Sequence, residues 1–179
     1  MFKIVKDNEK SIREKCKPVE LPLSKEDKEL ALSMVDYLIK SQDEEYAKKH
    51  NIRAGVGLAA PQIGINKRMF AIYYENEEEK IQYALINPKI IQNSIKKVAL
   101  ATGEGCLSVD NDHPGYVYRY DKIIIKGYDA ITDKEVTITA RGYDAIVLQH
   151  EYDHLDGILY YDRINKDNPT LEIPNSYLI

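Results

Sequence analysis

The sequence predicts an α+β domain in which antiparallel β-sheets pack around a central helix, with further helices near the N-terminus. Three observations predict it. Runs rich in β-branched and aromatic residues follow one another from Met69 to Ala140, separated by Gly, Asn, Asp and Pro, a pattern that suits short antiparallel strands and hairpins. A capped segment with helical periodicity precedes these runs. A second helix-patterned segment with apolar flanks follows them. No internal repeat or low-complexity linker interrupts the 179 residues, so residues 1–179 are expected to form a single domain around one core.

Taken in chain order, the first helix signal is Ser24-Lys25-Glu26-Asp27, a capping-box variant ahead of Leu30, Met34, Val35, Leu38 and Ile39. It places a helix from about Lys25 to Lys40. Ser41, with Glu44 three residues later, is a second candidate cap and would start a short helix through Tyr46 toward His50. The strand candidates are MFAIYY, IQYALINP, KIIIKGYDA and EVTITA, and the polar run from Glu75 to Lys80 reads as a hairpin tip. The last helix begins after Arg141-Gly142 and carries Ala145, Ile146, Val147, Leu148 and Leu155, with Gly157 expected to end it in a left-handed cap. Ile158 to Tyr161 is a candidate strand. In the tail, residues 166–179, Pro169 and Pro174 oppose a helix and leave an edge strand or a loose tail.

Composition excludes several classes. The net charge of -4 is dispersed over many Lys, Asp and Glu, so no basic face advertises a direct nucleic-acid site or an anionic membrane. No stretch of about 18 apolar residues and no signal-peptide pattern is present, and a cytoplasmic protein without membrane partners is expected. Two cysteines, Cys16 and Cys106, are too few for a disulfide framework and fit reduced thiols or a ligand role.

The chemistry is concentrated in His150-Glu151-Tyr152-Asp153-His154, an H-E-x-x-H pattern. Residues four apart on a helix share a face, so both imidazoles can reach one ion. Glu151 lies about a hundred degrees around the helix from His150, where it can flank a water at the ion without ligating it. Five-residue patterns with three fixed positions also recur by accident. Here the flanks are apolar, AIVLQ before and LDGILYY after, so the helix is expected to be buried, and buried His and Glu need partners that a shared ion supplies.

A third ligand is not found downstream at the spacing of the familiar zinc proteases. Cys106 is the best candidate, within Gly103-Glu104-Gly105-Cys106-Leu107-Ser108, where glycines allow close approach of another chain. The competing reading is a small buried hydrophobe. Gly55 to Gln62 could cradle a phosphate, but no Lys-Ser/Thr follows, and a tight loop packed on the core is the plainer reading. Glu104 and Arg119 are candidates for an ion pair bracing the Cys106 loop, with a solvated pair as the alternative. His50 and His113 read as surface residues, and Asp153 as a support of a ligand or of the helix.

Together, GVGLAAPQIGI (Gly55 to Ile65), GEGCLS (Gly103 to Ser108) and QHEYDHLDG (Gln149 to Gly157) resemble the three signature motifs of the peptide deformylases. The segment around Asn51 and the run PGYVYR (Pro114 to Arg119) resemble the subclass common in Gram-positive bacteria. The resemblance implies removal of the formyl group from the N-terminal formyl-methionine of nascent bacterial polypeptides, with release of formate. It implies Cys106, His150 and His154 as metal ligands, Glu151 as general base and acid, and Gln62 with the Leu107 N–H as oxyanion donors. It also puts Val56, Gly57 and Gly105 beside the substrate backbone and Ile146 and Val147 in the methionine pocket.

The cofactor implied is Fe2+, one ion per chain, although a tetrahedral Cys-His-His set also suits Zn2+, and Ni2+ or Co2+ are expected to substitute. Nascent formyl-methionyl peptides are the expected partners, with transient ribosome association and a monomeric state. An H-E-x-x-H metallopeptidase and a non-catalytic metal-binding homologue are the competing readings.

Overall fold

In a computed structural model, residues 2–75 and 79–179 are described. The first helix, α1, spans Lys25–Ser41, and the Ser24 side chain accepts from the Asp27 N–H as its sequence anticipates. The second helix, α2 (Glu44–His50), is capped by Asp43 rather than Ser41. Both residues have cap chemistry. Here α1 continues through Ser41, whose hydroxyl donates to the Leu38 carbonyl and accepts from the Gly55 N–H, which leaves Asp43 to take the Tyr46 N–H.

Five strands, β1 (Gly57–Ala59), β2 (Met69–Glu75), β3 (Lys80–Asn93), β6 (Lys122–Asp129) and β7 (Lys134–Arg141), form one antiparallel sheet in the order β1-β2-β3-β6-β7. The β2–β3 hairpin pairs Glu75 with Lys80; the middle of its expected tip, 76–78, lies outside the described residues. Successive residues of β2 serve opposite faces, as the strand period of two requires. Met69 and Ala71 join Met34, Leu38, Leu58, Ala84 and Ile86 under α1, whereas Phe70 and Ile72 join Leu85, Ile123, Ile125, Val147 and Leu148 on the other side. Because both faces are covered, Met69 to Ile72 are all buried. An antiparallel strand covered on both faces reads as continuous apolar sequence instead of alternation.

The helix α3 (Gly142–His154) lies on that second face. It ends before Gly157, which sits at φ +72° in the following turn. Only glycine fits there, because a Cβ would overlap the Arg13 backbone carbonyl. Ile158 to Tyr161 is not a strand: Tyr160–Arg163 makes a 3-10 turn in which the Asp162 side chain accepts from the Leu159 N–H at 2.9 Å. A local side-chain cap of this kind competes with strand pairing.

A smaller sheet joins β5 (Arg119–Tyr120), β4 (Lys97–Ala99) and β8 (Ser176–Leu178). The tail thus contributes an edge strand, parallel to β4, the single parallel pairing among the described strands. Cys16 and Cys106 are both free, and burial pushes the Cys16 thiol up to about 11, which keeps it protonated and inert. Among the described residues no helix is long and apolar enough to cross a membrane.

Candidate metal centre

The α3 helix supplies His150 and His154 from one face, and the loop between β4 and β5 brings Cys106 against them. One ligand atom from each of Cys106, His150 and His154 lies within 4.8 Å of the other two. The Cys106 Sγ is 3.4 Å from His154 Nε2. The His150 Nδ1 is 2.8 Å from a Glu104 carboxylate oxygen, a contact that fixes its Nδ1–H tautomer and leaves the Nε2 lone pair free. A thiol and two imidazoles converging in this way are a donor set that fits a divalent transition-metal ion.

Beyond the donors, Glu104 receives two hydrogen bonds from Arg119, at 2.6 and 2.9 Å. Arg119 also donates to Asp153 at 2.8 Å, and Asp153 takes two further bonds from Arg163, both 2.6 Å. Both side chains of the Arg119–Glu104 pair are about as buried as the core, at 2% and 3% exposure, so the solvated alternative fails. Burial alone would raise the Glu104 carboxyl, but the Arg119 guanidinium and the His150 and Arg119 hydrogen bonds outweigh it and hold Glu104 at about 2.

Among the described residues Glu151 has no such cation in contact. It is 4% exposed and its Oε2 has no hydrogen-bond partner among the described residues. Burial pushes its carboxyl up to about 7, against the opposing pull of the His150 and Arg119 charges. The side chain reaches its position because residue 57 is glycine: a Cβ there would overlap the Glu151 carboxylate.

Gln62 sits in the 3-10 turn Ala60–Ile63 that follows β1. Its Oε1 accepts from the Ala59 N–H at 2.8 Å, which orients the amide so that Nε2 points at Cys106 Sγ (3.4 Å) and Ser108 Oγ (3.2 Å). A cavity of about 340 Å³ opens beside these groups. Val56, Gly57, Gln62, Gly105, Cys106, Leu107, Ile146, Val147, His150 and Glu151 all line it; His154, fully buried, lies beneath. Gly105 has open space where a Cβ would stand, which leaves its backbone accessible.

Sequence reasoning missed Arg53, Leu100 and Tyr143 on the cavity wall. Arg53 donates to the carbonyls of Cys106, Leu107 and Val109 at 2.7, 2.9 and 3.0 Å, and Lys6 adds a bond to Leu107 at 3.1 Å. With those carbonyls turned toward two cations, the Cys106 loop is pinned from outside. No local pattern announces a partner 53 residues away. Asp153, read as a support of a ligand or of the helix, touches neither imidazole directly: it holds Arg119, which holds Glu104 against His150. His50 is exposed, but His113 is partly covered and stacks on Tyr161 at 4.1 Å.

The chain matches the family model of polypeptide deformylase over residues 1–170. It is 50% identical to the peptide deformylase of Lacticaseibacillus casei over all of this chain and 98% of that protein, and 49% identical to that of Ligilactobacillus salivarius over all of this chain and 97% of that one. Peptide deformylase 2 of Bacillus subtilis is 46% identical over all of this chain and 97% of its own length. Among solved structures, the Ehrlichia chaffeensis peptide deformylase is similar at TM-score 0.73 and 30% identity, covering 93% of this chain and 89% of its own.

Proposed function

Because the chain belongs to the polypeptide deformylase family, we propose that Cys106, His150 and His154 hold its metal ion and that Glu151 moves the protons of the reaction. The enzyme is a metal-dependent hydrolase that removes the N-formyl group from nascent formyl-methionyl polypeptides. The observation that carries the residue assignment is the convergence of the three donors within 4.8 Å beside the buried Glu151 carboxylate, whose Oε2 has no hydrogen-bond partner among the described residues.

A divalent cation in that position supplies Lewis acidity toward the formyl group and its attacking water. Glu151, ionised near neutral pH, takes a proton from the water as the new C–O bond forms at the formyl carbon. The same carboxyl then returns the proton to the methionine nitrogen as the C–N bond breaks, giving a free amine and formic acid, which releases the water's second proton to become formate. Gln62 Nε2 and the Leu107 N–H donate to the oxygen that gains charge in between, and losing one such donor typically costs about 2.7–4 kcal/mol. Val56, Gly57 and Gly105 offer backbone groups for strand-like alignment of the peptide, and Ile146 and Val147 offer apolar surface to the methionine side chain.

The ion is Fe2+ in this reading, with Zn2+, Ni2+ and Co2+ as substitutes; the soft thiolate beside iron makes the site sensitive to oxygen. The enzyme acts as a cytoplasmic monomer of one domain with transient contact to the ribosome. The test is formate release from formyl-Met-Ala by anaerobically prepared protein and by Glu151→Ala. Activity only in the wild type, lost in air and partly restored by Ni2+ or Co2+, is the expected result. Full activity of the aerobic enzyme with Zn2+ alone would remove the iron assignment.

A further inference from the structure

On the side of α3 facing away from the metal centre lies a second cavity of about 380 Å³, between α3, the end of β3, β4 and β5. Its wall carries three cations, Lys97, Arg119 and Arg163, and two acids, Asp153 and Asp156. Both acids are already neutralised: Asp153 is held by Arg119 and Arg163, and Asp156 by Arg68 at 2.7 Å. Arg119 is further committed to Glu104.

Lys97 is different. It is half-buried, its Nζ stands 3.3 Å over the Tyr120 ring, and among the described residues it has no hydrogen-bond acceptor or carboxylate partner. Burial first, and the nearby Arg163 charge after it, push its pKa down. Around it, Arg163 uses only Nε and one terminal nitrogen on Asp153. The buried Tyr118 hydroxyl has no partner among the described residues.

We propose that this cavity is a binding site for a phosphate-class oxyanion, held between Lys97 Nζ and the free edge of Arg163, with the Tyr118 hydroxyl and the Asn93 amide as further donors. An anion there would separate the two cations and satisfy the stranded hydroxyl at once. The neutralised acids leave the cavity net positive, so an oxyanion and not a metal cation is the occupant.

The test is calorimetric titration of the metal-loaded full chain with inorganic phosphate at constant ionic strength. Saturable binding to the wild type is expected, weakened about tenfold or more in Lys97→Met, since hydrogen bonds to charged groups are the strong ones. Asn93→Asp, a change at an exposed rim position, should weaken it as well, while both variants keep wild-type formate release. No saturable binding, or equal affinity in both variants and the wild type, as phosphate at the metal centre would give, overturns the proposal.

Discussion

Glu104 and Glu151 are both buried acids beside His150, yet their surroundings drive them in opposite directions. Glu104 is clamped by Arg119 and held at about 2, and Glu151, with one carboxylate oxygen free of partners, is pushed up to about 7. In the proposed reading, one is a fixed charge that orients a ligand and the other a proton carrier poised near neutrality. The difference teaches that the acid-base assignment resides in the neighbours and not in the residue type.

The largest expected effect is on Glu151. Glu151→Gln should lower kcat by about 10²–10⁴-fold, the usual worth of a positioned acid-base group, measured as formate release. Thermal unfolding of the same metal-stripped variant should show the cost of the buried charge. With a folded pKa raised from 4.5 to about 7, Glu151 contributes stability that is full below about 4.5 and lost as pH rises toward 7. The variant should therefore lack that fall.

Next is the clamp. Arg119→Met leaves Glu104 and Asp153 without the charge between them and should cost about 3–5 kcal/mol in denaturant unfolding. Lower metal content per chain should accompany it, because His150 loses its fixed partner. Replacement of Gln62 by Leu comes third, with kcat expected to fall by about 2.7–4 kcal/mol of barrier, or roughly 10²–10³-fold, and KM changing far less.

The smallest effect is on acid stability. Glu104 has a folded pKa depressed from 4.5 to about 2, so its contribution is present above about 4.5 and is lost as pH falls toward 2. Acid titration of unfolding should show this loss in the wild type and not in Glu104→Gln.

The Glu151 half of this comparison was legible in the sequence and the Glu104 half only partly. Helical spacing puts His150, Glu151 and His154 on their helix, and apolar flanks announce its burial. Ser24 capped α1 as expected, and every strand run from Met69 to Ala140 became a strand, because local chemistry and hydrophobic period decide those elements. Glu104 with Arg119 could be named as a pair, but its burial depends on Asp153 and Arg163 arriving from elsewhere in the chain. The pairing of β8 with β4 and the Arg53 clamp are likewise long-range. Two-residue periodicity carries no information about which distant segment will meet an edge.

The most direct measurement is a carbon-13 carboxyl titration of the metal-stripped protein with Glu104 and Glu151 assigned by substitution. The account predicts that Glu151 titrates at about 7 while Glu104 stays ionised down to about 2. Titration of Glu151 near the ordinary 4.5 would contradict it.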